Sequence, residues 1–447
     1  MGKIHSLYRP GFSIKRRKRT RHLRLCEDVH PRMLDDPPHP AYNSTASRQC
    51  VIGDISGEFR QETDMAFRSS RRDFLKVAGG GLVAGSAVSL TQSLAAEWDK
   101  EPQNPIPRWR GFNLLSFFQA FSRGRRSNGM IKEQDLEWIR DWGFDFIRLP
   151  MDYWLWIDTD WRKTRELKPD DTFKIDKNFL EKVDRAVELC QKYDLHVNIN
   201  FHRAPGYCIN NPDREPFVLW KSKKAQDAFA HHWDVFAQRY KDVPASDLSF
   251  NLVNEAPRAR EGYMTAEQYC RIMTRAVKKI REHSPDRPII VDGLSVGNKP
   301  VEGMIGTGVA QSVHGYHPGL ISHYRASWVD RNSSFPKPTW PLKNKSGKVI
   351  CSRETLKDHY APWGKLVRQG VGVHCGECGC YNKTPYNVFI QWFTAVMDIL
   401  KTHDIGWAMW NFRGSFGVLD SGRDDIEYED WHGHKLDRRL LEVLRSH

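Results

Sequence analysis

From about residue 106 to its C-terminus, the chain alternates short apolar runs with amphipathic stretches. The runs have the length of buried strands, and the apolar residues of the intervening stretches recur at helical spacing. Strands that alternate with helices predict a parallel sheet, and eight such units predict a (β/α)8 TIM barrel with enlarged loops at the C-terminal ends of its strands. The predicted strands cover residues 110–115, 144–150, 196–203, 250–255, 288–292, 311–317, 371–377 and 406–411.

The amphipathic stretches predict helices between most of these strands. The later helices are expected at about residues 265–283, 354–369, 383–402 and 434–445. The fifth βα unit is the weakest, because glycine-rich residues 297–308 leave room for only a short helix. Residues 319–353 are too polar and proline-rich for a further unit, so they predict a long loop at the substrate-binding end of the barrel.

The N-terminal segments differ from the rest of the chain. Residues 1–64 include the basic run 15–19, many prolines and no sustained apolar periodicity, which is typical of a segment that does not fold alone. Residues 65–96 contain twin arginines at 71–72, a short apolar stretch and a small-residue cleavage site. This order predicts a twin-arginine export signal, and the apolar stretch is too short for a stable membrane span. A buried helix is the alternative.

An export signal belongs at the start of a protein, and Met65 lies six residues before Arg71. We therefore hypothesise that translation begins at Met65 and that residues 1–64 are an artefact of the gene boundary. The remaining domain, residues 97–447, is expected in the periplasm or outside the cell. A peptide from residues 1–64, found by sequencing the expressed precursor, would contradict this start site.

The formal charge of +13 comes largely from the N-terminal segments. Residues 1–96 carry 16 Lys and Arg against 9 Asp and Glu, which leaves +6 for the remainder. Basic and acidic residues are interspersed there without a basic stripe, so the composition argues against nucleic-acid binding.

Two glutamates occupy equivalent places in the predicted barrel. Glu255 follows the apolar part of the fourth run, and Glu377 ends the seventh. The active site of such a barrel gathers at the C-terminal ends of its strands, so we expect the two carboxylates to face one another. A facing pair can cleave a glycosidic bond, with one carboxyl as general acid and the other as nucleophile or base. Taken singly, each glutamate is as consistent with a solvated or salt-bridged carboxylate.

Six further polar and aromatic residues accompany these glutamates in strand order. They are Arg148 on the second strand, His202 on the third, Asn254 beside Glu255, His314 and Tyr316 on the sixth, and Trp410 on the eighth. No single motif is specific, but the ordered combination is. It resembles glycoside hydrolase family 5, the cellulase-like group of retaining (β/α)8 enzymes in the Asn-Glu clan, across residues 106–447.

The resemblance implies a catalytic role for both glutamates. Glu255 would be the acid/base that protonates the leaving oxygen, and Glu377 would be the nucleophile that attacks the anomeric carbon. Carboxyls about 5–5.5 Å apart leave no room for water between them and give retention of configuration. Arg148 would favour the ionised form of Glu377, and Tyr316 would hydrogen-bond it.

The other four residues would contact the substrate or the carboxylates. Asn254 suits the sugar 2-hydroxyl, a bond that tightens at the transition state. His202 and His314 would hydrogen-bond the substrate or the glutamates, and Trp410 would form a stacking floor for the sugar before the cleaved bond. A core role for the two histidines, and a purely structural ion pair for Arg148, are the alternatives.

Cys375, Cys378 and Cys380 flank Glu377 and are the main departure from the family pattern. Cysteines at this spacing after a histidine are zinc-ligand types, but no second ligand pair accompanies them. A cation there would also impair the nucleophile, so we expect no metal. The alternatives are a disulfide from Cys378 or Cys380 to Cys208, which export permits, and free thiols packed around the strand end.

Aromatic residues in the predicted barrel-top loops are candidate sugar platforms. Trp154, Tyr207 and Trp328 are the strongest of these. Asp420, after the eighth strand, is a candidate partner for a sugar hydroxyl.

Together these features predict an exported, monomeric, retaining β-glycosidase that acts without a cofactor on a β-glucan or related saccharide, as an endo-β-1,4-glucanase. A β-mannanase, or an exo-acting β-glucosidase whose cleft is blocked by residues 319–353, would share the same motifs. A non-catalytic carbohydrate-binding barrel fits less well, because a pure binder does not need both glutamates with their supporting residues. A metal-dependent redox protein built on the cysteines is the remaining alternative.

Overall fold

The computed structural model describes residues 103–121, 128–329 and 335–447. The expected extension at 1–64 and the expected export signal at 65–96 lie outside these ranges. Across the described residues, no helix combines the length and apolar character needed to cross a membrane.

Eight parallel strands close into a barrel in which each strand pairs with its neighbours along the chain and the last pairs with the first. This arrangement confirms the predicted (β/α)8 architecture. The strands are β1 Arg110–Asn113, β2 Phe146–Asp152, β3 His196–Arg203, β4 Leu248–Asn251, β5 Ile289–Asp292, β6 Ala310–Gly315, β7 Val373–Cys378 and β8 Gly406–Met409.

Helices surround the barrel, and the longer ones in the described ranges are α1 Glu133–Asp141, α2 Lys177–Lys192, α3 Lys223–Arg239, α4 Ala266–His283, α5 Arg353–Arg368, α6 Tyr386–Thr402 and α7 Arg438–Ser446. Shorter helical turns are Leu115–Phe117, Tyr153–Trp156, Trp161–Thr164, Asp171–Phe173, Pro212–Arg214, Leu294–Gly297, Glu302–Met304 and Gly319–Ser322. The connection from β5 to β6 contains only two of these turns, as its glycine-rich sequence predicts.

Helix α4 shows how capping and apolar periodicity together set an element. The Thr265 hydroxyl accepts the Gln268 N–H at 3.2 Å, and the Gln268 side chain accepts the Thr265 N–H at 2.8 Å. Such a capping box contributes about 1 kcal/mol. The helix then buries Ile272, Ala276 and Ile280 on one face. Most of its stability therefore comes from packing against its neighbours.

A cluster of rings closes the end of the barrel at which the strands begin, and we call this cluster the floor. It consists of Trp109, Phe146, His196 and His374, all of them buried. The ring centroids of Trp109 and His196 are 3.8 Å apart, and those of Phe146 and His374 are 4.6 Å apart. The interior is therefore a packed core at this end, and any site must lie at the other.

Strand β7 contains one residue more than its neighbours require. Cys375 and Glu377 pair with consecutive residues of β6, so Gly376 is an extra residue in the strand. A bulge of this kind re-aims the following side chains. His374 and Glu377 consequently both point into the barrel although three positions separate them. A Cβ at residue 376 would lie 2.6 Å from the Ser312 hydroxyl oxygen, so the position favours glycine.

The described part of the long segment at 319–353 contains no additional βα unit, as predicted. It forms the turn Gly319–Ser322 and an antiparallel hairpin of Leu342–Lys343 with Val349–Cys351. A second hairpin, Glu429–Trp431 with His434–Leu436, follows β8.

The seven cysteines of the described residues are free thiols. The disulfide from Cys208 to Cys378 or Cys380 is therefore wrong, and the alternative of packed free thiols is confirmed. The Cys378 and Cys380 sulfurs lie 3.7 and 3.5 Å from backbone carbonyl oxygens. Burial raises the pKa of the Cys208 and Cys380 thiols to about 12, so both remain protonated and unreactive.

Candidate active site

The carboxyl groups of Glu255 and Glu377 meet at the end of the barrel opposite the floor. One oxygen of each and a ring nitrogen of His314 all lie within 4.8 Å of one another. An inverting reaction needs carboxyls about 6.5–9.5 Å apart to admit a water, so this pair suits direct attack by one carboxylate. The side chain of Glu377 is 4% exposed and that of Glu255 is 19% exposed, so Glu255 is the more accessible to a leaving group.

Two donors hold the buried carboxyl of Glu377. Arg148 Nη1 donates to Oε1 at 2.8 Å, and the Tyr316 hydroxyl donates to Oε2 at 3.0 Å. Burial raises the pKa of Glu377 above its ordinary value, against the opposing charges of His314 and Arg148. Burial and the Glu377 charge also raise the pKa of Tyr316 well above its usual range, so its hydroxyl remains a donor. Both Glu377 oxygens thus accept hydrogen bonds, which favours the ionised form that a nucleophile needs.

Arg148 is a buried hub beneath the carboxylates. Besides Glu377, it donates to Asn113 at 2.9 Å, to Asn251 at 3.0 Å and to Asn254 at 2.7 Å. A planar guanidinium can serve several acceptors at fixed angles. The structural alternative for Arg148 was a buried ion pair, and that pair is formed with Glu377 itself, so the two interpretations coincide.

Glu255 lies beyond the end of β4 in a left-handed conformation, with a φ of 50°. Its N–H donates to Asp292 Oδ2 at 2.8 Å, and its carbonyl accepts the Tyr207 hydroxyl at 2.7 Å. A left-handed φ is unfavourable for a residue with a Cβ, so the surrounding structure must hold it in place. The two hydrogen bonds fix the backbone on both sides of the Glu255 side chain.

His314 lies between the two carboxylates. Its Nδ1 is 3.3 Å from Glu255 Oε1 and 3.9 Å from Glu377 Oε2, and its Nε2 is 3.1 Å from Asp292 Oδ2. Burial opposes a charge on the ring, yet Glu377 and Asp292 raise the pKa of His314 well above its usual value. The ring is therefore a buried cation among three carboxylates, which goes beyond the core role left open for it.

Asn254 Nδ2 and His202 Nδ1 are buried polar atoms near Glu377, and among the described residues neither makes a hydrogen bond. Arg148 occupies the oxygen of the Asn254 amide at 2.7 Å, and His202 Nδ1 lies 4.0 Å from Glu377 Oε1. Burial and the Arg148 charge lower the pKa of His202 well below its usual value, so the ring is neutral. Buried polar atoms normally find partners, so these two suit the hydroxyls of a bound sugar.

Trp410 forms an aromatic wall beside the carboxylates. Its ring stacks on His202 with centroids 5.5 Å apart and contacts Phe118 edge-on at 5.0 Å. Trp410 and Phe118 are both partly exposed, so their rings can contact a ligand. The peptide bond from Trp410 to Asn411 is cis.

Two of the three predicted sugar platforms are buried instead. Trp154 is fully buried, and its Nε1 donates to Glu215 at 3.2 Å. Tyr207 is also buried, and its hydroxyl donates to the Glu255 carbonyl. Of the three, only Trp328 is open to solvent, with 55% of its surface exposed. Asp420 is also engaged, in ion pairs of 3.0 and 2.9 Å with Arg413 and His434.

Trp328 belongs to an aromatic cluster with Tyr381 and Phe416, which we call the shelf. The ring centroid of Trp328 lies 4.8 Å from that of Tyr381 and 6.3 Å from that of Phe416. Phe416 is buried, and its ring centroid lies 6.2 Å from that of Tyr316, the residue that hydrogen-bonds Glu377. The shelf therefore extends outward from the carboxylates, and exposed apolar surfaces of this kind mark binding sites.

The sequence pattern did not single out Asn113, Asn251 or Asp292, all of them buried in this network. Although burial opposes its charge, the neighbouring His314 and Arg148 hold the pKa of Asp292 at about 2. A signal for Asp292 did exist, because an acidic residue ends the apolar run 288–292 at the catalytic end of its strand.

Glu255, His314 and Glu377 are close enough to ligate a metal ion. The Glu377 Oε1 already accepts from Arg148, however, and that fixed positive charge would repel a cation. Residues Asp234, Glu282 and His283 form a second such group, on α3 and α4. The cysteines around Glu377 belong to neither group of the described residues.

Comparisons with known proteins found a matching family and several similar chains. A sequence profile described as Cellulase (glycosyl hydrolase family 5) matches residues 100–415. Endoglucanase C of Acetivibrio thermocellus is 25% identical over 346 residues, which cover 71% of this chain and 95% of the relative. A crystal structure described as a glycoside hydrolase is 38% identical with a TM-score of 0.70, over 76% of this chain and 99% of its own. Cel5A of Thermotoga maritima, solved with mannotriose, shares the fold at 22% identity and a TM-score of 0.59, over 76% of this chain and 98% of its own.

Proposed function

The chain belongs to glycosyl hydrolase family 5, the cellulase family, and we propose that it hydrolyses β-1,4-linked glucans with retention of configuration. The observation that carries the proposal is the meeting of Glu255 and Glu377, an oxygen of each lying within 4.8 Å of the other. Carboxyls this close serve as an acid/base and a nucleophile in a double displacement.

In the first step, a Glu377 oxygen attacks the anomeric carbon as Glu255 gives its proton to the leaving oxygen. The bond from the anomeric carbon to Glu377 forms, the glycosidic bond breaks, and the leaving sugar departs with a free hydroxyl. Arg148 and Tyr316 fix the direction of attack through their hydrogen bonds to Glu377. Asn254 Nδ2 contacts the sugar 2-hydroxyl, a bond that strengthens at the transition state.

In the second step, a water replaces the leaving sugar. Glu255, now a carboxylate, takes a proton from the water while the water oxygen attacks the anomeric carbon and releases Glu377. The His314 cation, 3.3 Å from Glu255 Oε1, stabilises the Glu255 carboxylate between the two steps. Two inversions at one carbon give net retention.

The shelf, and the relatives that are named endoglucanases, support the proposal that the enzyme cuts a polysaccharide internally. Trp328 offers a flat exposed ring beyond the carboxylates, on which a sugar outside the cleaved bond can stack. An exo-acting enzyme would need the long segment at 319–353 to close one end of the cleft. Trp328 lies in that segment and is open, which favours endo action.

The chemistry is tested with Glu377→Gln, which replaces the nucleophile with an amide of the same shape. Turnover of cellopentaose should fall by about 10⁴-fold or more, while sugar binding persists. Proton NMR of the wild-type reaction should show the β-anomer first. Glu354→Gln on α5 is a surface control that should keep full activity. Release of the α-anomer first would exclude retention, and wild-type binding without turnover would identify a binding barrel.

The substrate is tested with a panel of cellulose, mixed-linkage glucan, mannan and xylan. We expect internal cleavage of the two glucans, seen as a rapid fall in viscosity with few new reducing ends. A preference for mannan would identify a β-mannanase instead. Activity confined to aryl glycosides would contradict endo action.

We also propose that the protein is exported by the twin-arginine route and acts as a monomer outside the cytoplasm. The support is the order of twin arginine, apolar stretch and small residues in 65–96. Replacing Arg71 and Arg72 with lysine should leave the precursor in the cytoplasm, as detected by fractionation. Export of that variant at the wild-type level would refute the route, and light scattering of the mature protein checks the monomer.

A further inference from the structure

Strand β5 ends directly behind Glu255 with a buried carboxylate. Asp292 is the last residue of β5 and is 0% exposed. Its Oδ2 accepts the Glu255 N–H at 2.8 Å and lies 3.1 Å from His314 Nε2, and its Oδ1 accepts from Asn251 at 2.9 Å. One carboxylate thus contacts both the backbone of Glu255 and the ring that faces the Glu255 side chain.

The ion pair at Nε2 decides which nitrogen of His314 faces Glu255. With Nε2 directed at Asp292, Nδ1 lies 3.3 Å from Glu255 Oε1. Glu377 is the other carboxylate at the ring, at 3.9 Å, and Tyr316 contacts the ring edge-on with centroids 6.1 Å apart. An Nδ1–H bond to Oε1 leaves Oε2 as the oxygen that carries the acid proton.

The turn after β5 supports the same assembly. Ser295 and Val296 both have a φ of 56°, a left-handed conformation that is strained for β-branched valine. The Val296 N–H donates to the carbonyl of Ala256, the residue after the acid/base, at 2.8 Å. Gly297 packs on the His314 ring, where a Cβ would lie 2.8 Å from a ring carbon. Strained backbone persists where its surroundings hold it, and it clusters at functional sites.

We propose that Asp292 is a positioning residue for Glu255, acting through the Glu255 backbone and through His314. The inference rests on the proposed function, because it requires Glu255 to be the proton donor. Asp292 keeps the Glu255 peptide left-handed and turns His314 Nδ1 toward Oε1. The proton then passes from Oε2 to the leaving oxygen as the glycosidic bond breaks.

The test compares a substrate that needs proton donation with one that does not. Cellotetraose has a sugar leaving group, whereas 2,4-dinitrophenyl β-cellobioside releases a phenolate that leaves without a proton. Asp292→Asn should lower kcat/KM for cellotetraose by about 10- to 100-fold, a loss typical of outer-shell partners that orient a functional side chain. On the activated substrate kcat/KM should change by less than about threefold, because general acid catalysis is not used there. Equal losses on the two substrates would overturn the proposal.

Two further variants separate positioning from simple damage to the fold. Asp152→Asn changes another buried aspartate at the end of a strand, paired with Arg203 at 3.3 Å, and should affect both substrates equally. Tyr207→Phe removes the donor to the Glu255 carbonyl and should give a smaller loss with the same substrate selectivity. If Asp292→Asn does not fold, Tyr207→Phe decides the matter by that selectivity.

Glu255→Ala distinguishes failure of this inference from failure of the proposed function. It should show the greatest selectivity for the activated substrate, and azide should restore turnover by replacing water as the second nucleophile. If Glu255→Ala shows no selectivity, the proposed function itself fails. If Glu255→Ala is selective but Asp292→Asn and Tyr207→Phe are not, only the positioning role fails.

Discussion

His196 and His374 at the floor and His314 at the catalytic end are all buried, but they differ in charge. At the floor, burial lowers the pKa of His196 to about 4 and that of His374 to about 3, so both rings are neutral. At the catalytic end, His314 is equally buried, yet Glu377 and Asp292 raise its pKa well above the usual value. The floor histidines and His314 are all buried, so the neighbouring carboxylates decide which ring is charged.

The two ends also differ in what they contribute. The Trp109 and His196 rings of the floor stack, the Phe146 and His374 rings pack at a tilt, and the His374 Nε2 lies 3.3 Å from the Trp109 carbonyl oxygen. This arrangement favours stability. The catalytic end instead holds three buried or half-buried carboxylates with two cations and left-handed residues. Buried charges and left-handed backbone are locally unfavourable, and their concentration in one place is a sign of function. The rest of the fold compensates for their cost in stability. Changes at the catalytic end should therefore affect activity, and changes at the floor should affect stability.

The largest expected effect follows removal of the positive charge beneath the carboxylates. Arg148→Met leaves buried Glu377 without its ion-pair partner at 2.8 Å. Breaking a buried pair in this way costs about 3–5 kcal/mol of unfolding free energy. Activity per folded molecule should also fall by about 100-fold or more, because the nucleophile loses its orientation. Urea unfolding and cellopentaose turnover measure the two effects.

The control for this variant is an ion pair on the outer surface. Arg239→Met breaks the pair with Asp184, in which the two side chains are 27% and 30% exposed. It should cost less than about 1 kcal/mol and leave turnover unchanged. Similar losses in the two variants would mean that the catalytic end has no special electrostatic demand.

At the floor, the next largest effect is a change in acid stability. His374 has a pKa of about 3 when folded, and its ordinary value when unfolded is about 6.5. Between these values the unfolded chain binds an extra proton, so stability falls as the pH drops. At pH 5 the loss is about 2 kcal/mol. His374→Gln should remove that part of the difference in unfolding free energy between pH 7 and pH 5. An unchanged difference would show that His374 is not a buried neutral ring.

The catalytic end should show the opposite slope, at higher pH. The raised pKa of His314 contributes stability that is complete below about pH 6.5 and is lost as the pH rises through the folded value. Unfolding free energy should therefore fall as the pH rises above about 6.5, between pH 7 and pH 8, through the contribution of this group. Replacing His314 with Gln should flatten the slope in this range, as measured by urea unfolding at each pH. A wild-type slope retained in the variant would argue against a charged ring.

The smallest effect is expected at the shelf. Trp328→Ala removes an exposed ring, and aromatic stacking contributes about 0.5–1.5 kcal/mol. KM for long cello-oligosaccharides should rise by about 2- to 10-fold, with kcat unchanged and short substrates unaffected. Val329→Ala, a neighbouring exposed apolar residue, is the matched control and should have no effect. A KM rise that is independent of chain length would remove the shelf from the substrate path.

Much of the fold and the site follows from periodicity alone. Eight apolar runs predict the eight strands, and position at strand ends predicts that Glu255, His314 and Glu377 converge. The direction of Glu377 does not follow. Alternation from the inward-facing His374 would place residue 377 on the outer face of β7, and only the bulge at Gly376 reverses this. A bulge depends on pairing with two neighbouring strands, which a single run of residues does not reveal.

The sequence also did not predict which loop side chains are buried and which are exposed. Trp154 and Tyr207 have the chemistry of sugar platforms, but both side chains are buried. Trp154 donates a hydrogen bond to Glu215, and Tyr207 donates one to the Glu255 carbonyl. Trp328 has the same chemistry in a loop that stays open. Burial of a loop side chain depends on the groups, distant in sequence, that it contacts in the fold. Composition does not predict those contacts.

The extra residue in β7 has a consequence for anyone who transplants this pair of carboxylates into an idealised eight-stranded scaffold. A strand of regular pleat carrying the same letters would present Glu377 to the surrounding helices and Cys378 to the sugar. Copying the amino acids would therefore not be enough, and the irregularity at Gly376 would have to be copied with them.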